Sequence, residues 1–200
     1  MINNIQNKII SLVAPSSAGK DHIQTLLTLK CNYKRLVSYT SRPKRIGEVD
    51  GIEYNFVSDE EMKQMIANNQ LIEYREYKVA SGDTWYYGIA KKTIEEALAD
   101  NVNYVVIVDF KGLKTLNDYM TSTDRKERLC SVYINTKAQI RLLRSLSREG
   151  DMNDLQVNEV IRRFNDDVLN VVGAIDFCDI VVENNNYEDS KRIIERLKGI

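Results

Sequence analysis

Histidine is nearly missing from this chain of 200 residues, which holds 1 of them, with 3 cysteines, 2 prolines and 1 tryptophan. The cysteines Cys31, Cys130 and Cys178 are odd in number and far apart, and no C-x-x-C occurs. That excludes a disulfide framework, leaves too few ligands for a protein zinc site, and points to a reducing compartment. A charge excess is missing too: 28 Lys and Arg stand against 29 Asp and Glu. No global field draws the chain to nucleic acid or to an anionic membrane surface, so any anion site must be a local cluster. The first residues, MINNIQNK, are polar, and the apolar runs are only about strand length. Neither a signal peptide core nor a membrane span fits them. The expectation is a soluble cytoplasmic protein with no nucleic-acid and no membrane partner.

What is present is an alternation. Short apolar runs at 8–13, 36–38, 104–109, 131–135 and 179–183 read as core strands. Amphipathic segments at 20–30, 111–118, 137–147, 155–172 and 188–197 read as helices. This pattern predicts an α/β fold, a parallel sheet with helices on both faces. From about 39 to 93 the rhythm changes to turns, tyrosines and strand-like alternation around a short helix at 59–68. That stretch reads as a small, mostly β insertion. Residues 1–38 and 94–200 then form the core, and a charged segment at about 145–163, with a loop at 149–154, forms a helical lid.

The core is organised around its first strand. The run Ile9, Ile10, Leu12, Val13 breaks into Ala14-Pro15-Ser16-Ser17-Ala18-Gly19-Lys20 and then into a helix that starts with Asp21 and His22. Strand, small-residue loop ending in Gly-Lys, then helix is the geometry of a phosphate cradle, or P-loop. Backbone N–H groups converge at the helix N-terminus, and the lysine reaches the outer phosphates of a nucleoside triphosphate. The usual pattern is G-x-x-x-x-G-K-[ST]. Here Ala14 replaces the first glycine, so the start of the loop must avoid positive φ or be strained. Asp21 replaces the hydroxyl ligand of Mg²⁺ with a carboxylate. A strand–turn–helix without ligand is the plainer alternative, and the lysine after Gly19 argues against it. Farther on, Arg42 and Arg45 flank Pro43 and Lys44, with Tyr54 beyond a glycine turn. Guanidinium forks and a phenol are donors suited to a phosphate monoester, although R-P-K-R alone would also serve as a solvated basic turn.

At this point the chain resembles guanylate kinases. Residues 38–56 follow the pattern S-x-T-T-R-x-x-R-x-G-E-x-x-G-x-x-Y-x-F with Ser41 for the second threonine. Later blocks agree in order: Leu71-Ile72-Glu73-Tyr74, Tyr86-Tyr87-Gly88, Asp109-Phe110-Lys111-Gly112, and Arg144, Arg148 and Arg163. The resemblance implies that Arg42, Arg45, Tyr54 and Tyr87 hold the acceptor phosphate. It implies that Glu73 reads guanine N1–H and the 2-amino group, that Ser38 donates to O6, and that Asp109 belongs to the same acceptor site. Ala14, Ser16, Ser17, Ala18, Gly19, Lys20, Asp21 and His22 would hold ATP, with Asn184 near its adenine, and Asp21 would serve Mg²⁺. Lys20, Arg45, Arg144, Arg148 and Arg163 would neutralise the transferring phosphoryl group, for which positioning and charge suffice. A solvated basic face is the plainer reading of Arg144, a solvent-facing strand-edge carboxylate that of Glu73, and a helix cap that of Asp109.

The chain departs from the resemblance at Ala14, Asp21, Ile89 (for a hydroxyl residue), Ile107 (for an acidic one) and in extra residues near 80–85. The reading is therefore ATP-dependent phosphorylation of GMP or dGMP in purine nucleotide metabolism, by a monomer or homodimer acting on small-molecule nucleotides. The alternatives are a kinase for another nucleoside monophosphate and a guanylate-kinase-like binding module impaired in transfer.

Overall fold

A computed structural model describes residues 7–78, 83–149 and 151–200, with the side chains at 148 and 149 outside the described ones. Strand β1 (Ile9–Val13) is buried along its whole length, as a central parallel strand covered on both faces must be. It runs into helix α1 (Lys20–Lys30), then β2 (Lys34–Arg35), β3 (Tyr39–Thr40) and β4 (Asn55–Phe56). Helix α2 (Asp59–Ala67), β5 (Leu71–Lys78) and β6 (Thr84–Ala90) follow, and then α3 (Lys91–Ala99), β7 (Tyr104–Ile107) and α4 (Phe110–Ser122). The chain closes with β8 (Leu129–Asn135), α5 (Ala138–Glu149), α6 (Asp154–Asn170), α7 (Ala174–Phe177), β9 (Ile180–Glu183) and α8 (Tyr187–Leu197).

Two sheets result. The five-stranded sheet has the order β2-β7-β1-β8-β9 and is parallel throughout. Alternate residues of β1 feed its two faces. Ile9 and Val13 pack with Ile94 of α3 and with Leu113, Leu116 and Met120 of α4. Ile10 and Leu12 pack with Ile23 and Leu27 of α1 and with Ile193, Ile194 and Leu197 of α8. The second sheet, β4-β3-β6-β5, is mixed and closes over α2 through Met62, Leu71 and Ala90. Helix α2 opens on a capping box in which the Ser58 hydroxyl accepts from the Glu61 N–H and the Glu61 carboxylate accepts from the Ser58 N–H.

The predicted α/β class is the observed one. Two local expectations change. The strand read at 36–38 is instead the connection between β2 and β3, because the chain leaves the parallel sheet there to enter the mixed one. Helix α3 was not foreseen: it has neither an acidic first turn nor a side-chain cap, and its buried face rests on Ile94 and Ala97. Among the described residues no helix is long and apolar enough to cross a membrane.

Candidate active site

The loop after β1 solves the problem posed by Ala14 without straining it. The left-handed conformations fall later, at Ser17 (φ 58°) and Gly19 (φ 99°). Gly19 is required twice over, by its φ and because a Cβ there would stand 2.5 Å from the Asn184 Nδ2. The Lys20 Nζ donates to the carbonyls of Ala14 at 2.7 Å and Pro15 at 3.0 Å, folding the side chain back over the loop. Burial lowers its pKa, opposed by the neighbouring carboxylates Asp21 and Asp167. Asp21 and His22 are exposed on the first turn of α1.

Side chains from the far end of the chain fasten this loop. Asn184, 1% exposed at the end of β9, donates from Nδ2 to the Ala18 carbonyl at 2.8 Å and accepts from the Ser190 hydroxyl at 2.8 Å. Its amide is spent on the loop, beside a cavity of about 300 Å³ that Gly19, His22, Arg144 and Tyr187 help to line. Arg144 donates to the carbonyls of Ala18 (3.3 Å) and Asn184 (3.0 Å), so it is a half-buried brace of the loop in this conformation. Asp167 of α6 accepts from the Ser16 N–H at 2.9–3.0 Å and from the Ser16 hydroxyl at 3.1 Å, and it pairs with Arg141 at 2.8 Å. Sequence reading missed Asp167 and Arg141. They lie about 150 and 125 residues from Ser16, and no local pattern joins them.

On the second sheet Arg42 is 4% exposed. It donates to Glu48 at 2.7 Å and to its neighbour's carbonyl, Pro43, at 2.7 Å. Its guanidinium lies 5.6 Å from the ring centres of both Tyr54 and Phe56. The Tyr54 and Tyr87 rings meet edge to face at 5.6 Å. Arg45 is exposed, with its backbone N–H donating to Glu48 at 2.7 Å. Ser38 is partly buried, and its carbonyl accepts from the Asn55 N–H. Glu48 belongs to the R-x-G-E block, yet its role as the counter-charge of Arg42 was missed.

The third cluster lies where the two sheets meet. A bulge in β5 between Leu71 and Glu73 inserts Ile72 opposite β6 and re-aims the residues that follow. Glu73 is thereby turned inward, 11% exposed, with Oε2 buried and without a hydrogen bond. Burial pushes its pKa up to about 7, although Arg75 pulls it down. Asp109 at the end of β7 caps α4 by accepting from the Gly112 N–H at 2.7 Å. It also accepts both prongs of the Arg75 fork, from Nε at 2.6 Å and from Nη2. Asp109 is thus a helix cap, as its plainer reading held, and Arg75 joins it to Glu73 as well. Arg75 was not singled out in the sequence.

Arg163 of α6 is half-exposed and pairs with Glu159 at 2.7 Å. Arg148 lies in α5 with its side chain outside the described residues, and positions 79–82, part of the stretch near 80–85 read as extra residues, lie outside them too. Ile89 is buried in the core, and Ile107 packs beside α1 against the other face of the sheet.

Charged groups of these clusters lie within electrostatic reach of one another. Tyr54, whose pKa rises chiefly through burial, also feels Asp21, and Lys20 feels Asp109. A Gly-Lys loop after the central parallel strand, together with a buried arginine among tyrosines on the second sheet, suits passage of a phosphoryl group between nucleotides. The class is a nucleotide phosphotransferase built on a P-loop core. The sequence profile of the family described as Guanylate kinase matches residues 6–198, and the chain belongs to that family.

The chain is 33% identical over 195 residues to the guanylate kinase of Helicobacter pylori strain J99, covering 96% of this chain and 86% of that protein. It is 30% identical over 199 residues to the guanylate kinase of Mycoplasmoides gallisepticum, covering 98% and 94%. The crystal structure of guanylate kinase from Anaplasma phagocytophilum shares the fold, with a TM-score of 0.61 at 22% identity, over 96% of this chain and 85% of that one. The chain is a kinase that acts on nucleoside monophosphates.

Proposed function

We propose that the chain transfers the γ-phosphoryl group of ATP to GMP or dGMP, with Mg²⁺ as the accompanying ion. The observation that carries the acceptor is Glu73. Its Oε2 is buried without a hydrogen bond at the junction of the sheets, a costly state that an incoming pair of donors relieves. Guanine offers such a pair in its N1–H and 2-amino group; adenine has no N1–H. A polar site of this kind rejects the wrong base by leaving groups unpaired.

The acceptor phosphate would meet Arg42, whose charge is already held in place by Glu48, with Tyr54 and Tyr87 beside it and the exposed Arg45 free to swing inward. The donor's phosphates would lie on the loop N–H groups and at the N-terminus of α1, and Lys20 would exchange the carbonyls of Ala14 and Pro15 for phosphate oxygens. Arg144 would leave its two carbonyls, and Arg148 and Arg163 would approach with the lid, neutralising the group in transit. Among the described residues no cluster of three or more acidic, His or Cys side chains forms a ready-made metal cage. The exposed carboxylate of Asp21 fits Mg²⁺ instead, since that ion keeps several waters and takes one or two carboxylates plus substrate phosphates. Bound there, it would neutralise phosphate charge.

ADP release from MgATP, with GMP, dGMP, AMP, CMP and UMP offered separately, tests the reading. Turnover with GMP or dGMP alone supports it. Turnover with another nucleotide favours a drifted acceptor site, and GMP binding without turnover favours the impaired binding module.

A further inference from the structure

Arg75 is the charged group at the junction of the sheets to which neither the family resemblance nor the substrate reading gives a task. It stands two residues beyond Glu73 on β5, hence on the same face of the strand. Its Nε and Nη2 grip both oxygens of Asp109. Its Nη1 donates to the Tyr74 carbonyl at 3.1 Å and lies 3.1 Å from the Glu73 Oε2 without hydrogen-bond alignment. The three charged side chains converge on the backbone of Gly112. A Cβ on Gly112 would stand 3.2 Å from the Arg75 Nη2 and 3.3 Å from both Asp109 Oδ1 and Glu73 Oε2.

The hydrogen-bond inventory separates the two carboxylates. Asp109 already accepts twice from Arg75 and once from the Gly112 N–H, so little of its capacity remains for a ligand. Glu73 keeps an oxygen with no donor. Arg75 therefore supplies Glu73 with charge while leaving its lone pairs open. We infer that Arg75 is a positioning residue of the acceptor site, which neutralises and aims the Glu73 carboxylate for the base and ties β5 to the N-terminus of α4 through Asp109. This rests on the reading of Glu73 as the reader of the base.

The groups facing Glu73 are few. Arg75 and the Asp109 carboxylate lie on either side, Lys111 adds positive charge from α4, Tyr77 lies farther along β5, and the residue opposite on β6 is the apolar Ile89. Arg75 and Lys111 favour the charged form of Glu73, whereas burial and Asp109 oppose it. Removing Arg75 therefore moves the ionisation of Glu73 to higher pH and, with it, the binding of a base that donates to the carboxylate.

The test is GMP affinity by calorimetry from pH 6 to 9 for the unaltered chain, Arg75→Met and Arg75→Lys, with ATP affinity measured alongside. Expected for Arg75→Met is a tenfold or greater loss of GMP affinity at pH 7. Its pH midpoint should rise while ATP affinity stays within about twofold. Arg75→Lys keeps the charge without the fork and should bring the midpoint back toward that of the unaltered chain. Arg75→Gln gives the same comparison should Arg75→Met fail to fold. A neutral variant whose GMP profile superimposes on the unaltered one overturns the inference. So does equal loss of GMP and ATP, or a lysine variant no better than the methionine. An unaltered chain that does not bind GMP overturns the substrate reading first and this inference with it.

Discussion

The carboxylate of Asp167, on α6, accepts the backbone N–H of Ser16 in the loop after β1, and the Ser16 hydroxyl as well. Asp167 lies in the second half of α6, beyond the segment 145–163 that the sequence reading takes as a lid, and from there it holds the loop. The carboxylate is 13% exposed and is balanced by Arg141, itself 11% exposed and stacked 4.7 Å from the Phe164 ring. Ser16 of the loop and Arg141 of α5 are thus both held by the same carboxylate of α6.

Asp167→Ala leaves the Ser16 N–H without its acceptor and the Arg141 guanidinium without its counter-charge, holding only the Ser16 carbonyl. Breaking a largely buried pair from one side costs about 3 kcal/mol, which in a chain of this size lowers Tm by roughly 6–12 °C. Thermal unfolding checks this. The double variant Asp167→Ala with Arg141→Met should recover part of the loss, because it removes the stranded charge.

Lys20→Ala removes the ammonium that the proposed function assigns to the donor's phosphates. A drop in kcat of roughly a hundredfold or more is expected, on the scale of losing one preorganised charge-stabilising donor. Steady-state rates with saturating GMP decide it. Near-normal turnover would remove the cradle from the mechanism.

Glu73→Gln tests base selection and carries a pH signature in stability. The folded-state pKa of Glu73 is raised to about 7 from the ordinary 4.5. Its favourable contribution is therefore complete below pH 4.5 and is lost as pH rises through about 7. At pH 8 the ionised buried carboxylate costs about 3 kcal/mol at the outside. Urea unfolding should show the unaltered chain losing stability between pH 5 and 8, and Glu73→Gln losing markedly less. In the same variant GMP should bind much more weakly and ATP about as before. Equal loss of both would make Glu73 structural.

Gly19→Ala places a methyl group 2.5 Å from the Asn184 amide at a φ of 99°. The backbone strain alone is about 1–3 kcal/mol. Loss of ATP affinity with the acceptor sheet intact is expected, measured by calorimetry with ATP and GMP separately. Unchanged ATP affinity would mean that the loop tolerates a second conformation.

Much was legible in the chain because it was written in near neighbours. The run from Ile9 to Lys20 encodes a strand, a tight loop and a helix N-terminus through apolar continuity, small residues and one indispensable glycine. The ordered blocks between 38 and 88 carry the family resemblance through residue type and order. Alternating strands and helices leave a parallel sheet covered on both faces as the economical way to bury that much apolar surface. What the tertiary structure alone decided is pairing at long range. Asp167 on Ser16, Asn184 and Arg144 on the Ala18 carbonyl, and Arg75 on Asp109 join residues from 34 to 166 positions apart. A charged side chain carries no periodicity that names its partner. Its state depends on how deeply the fold buries it and on which opposite charge the fold brings alongside.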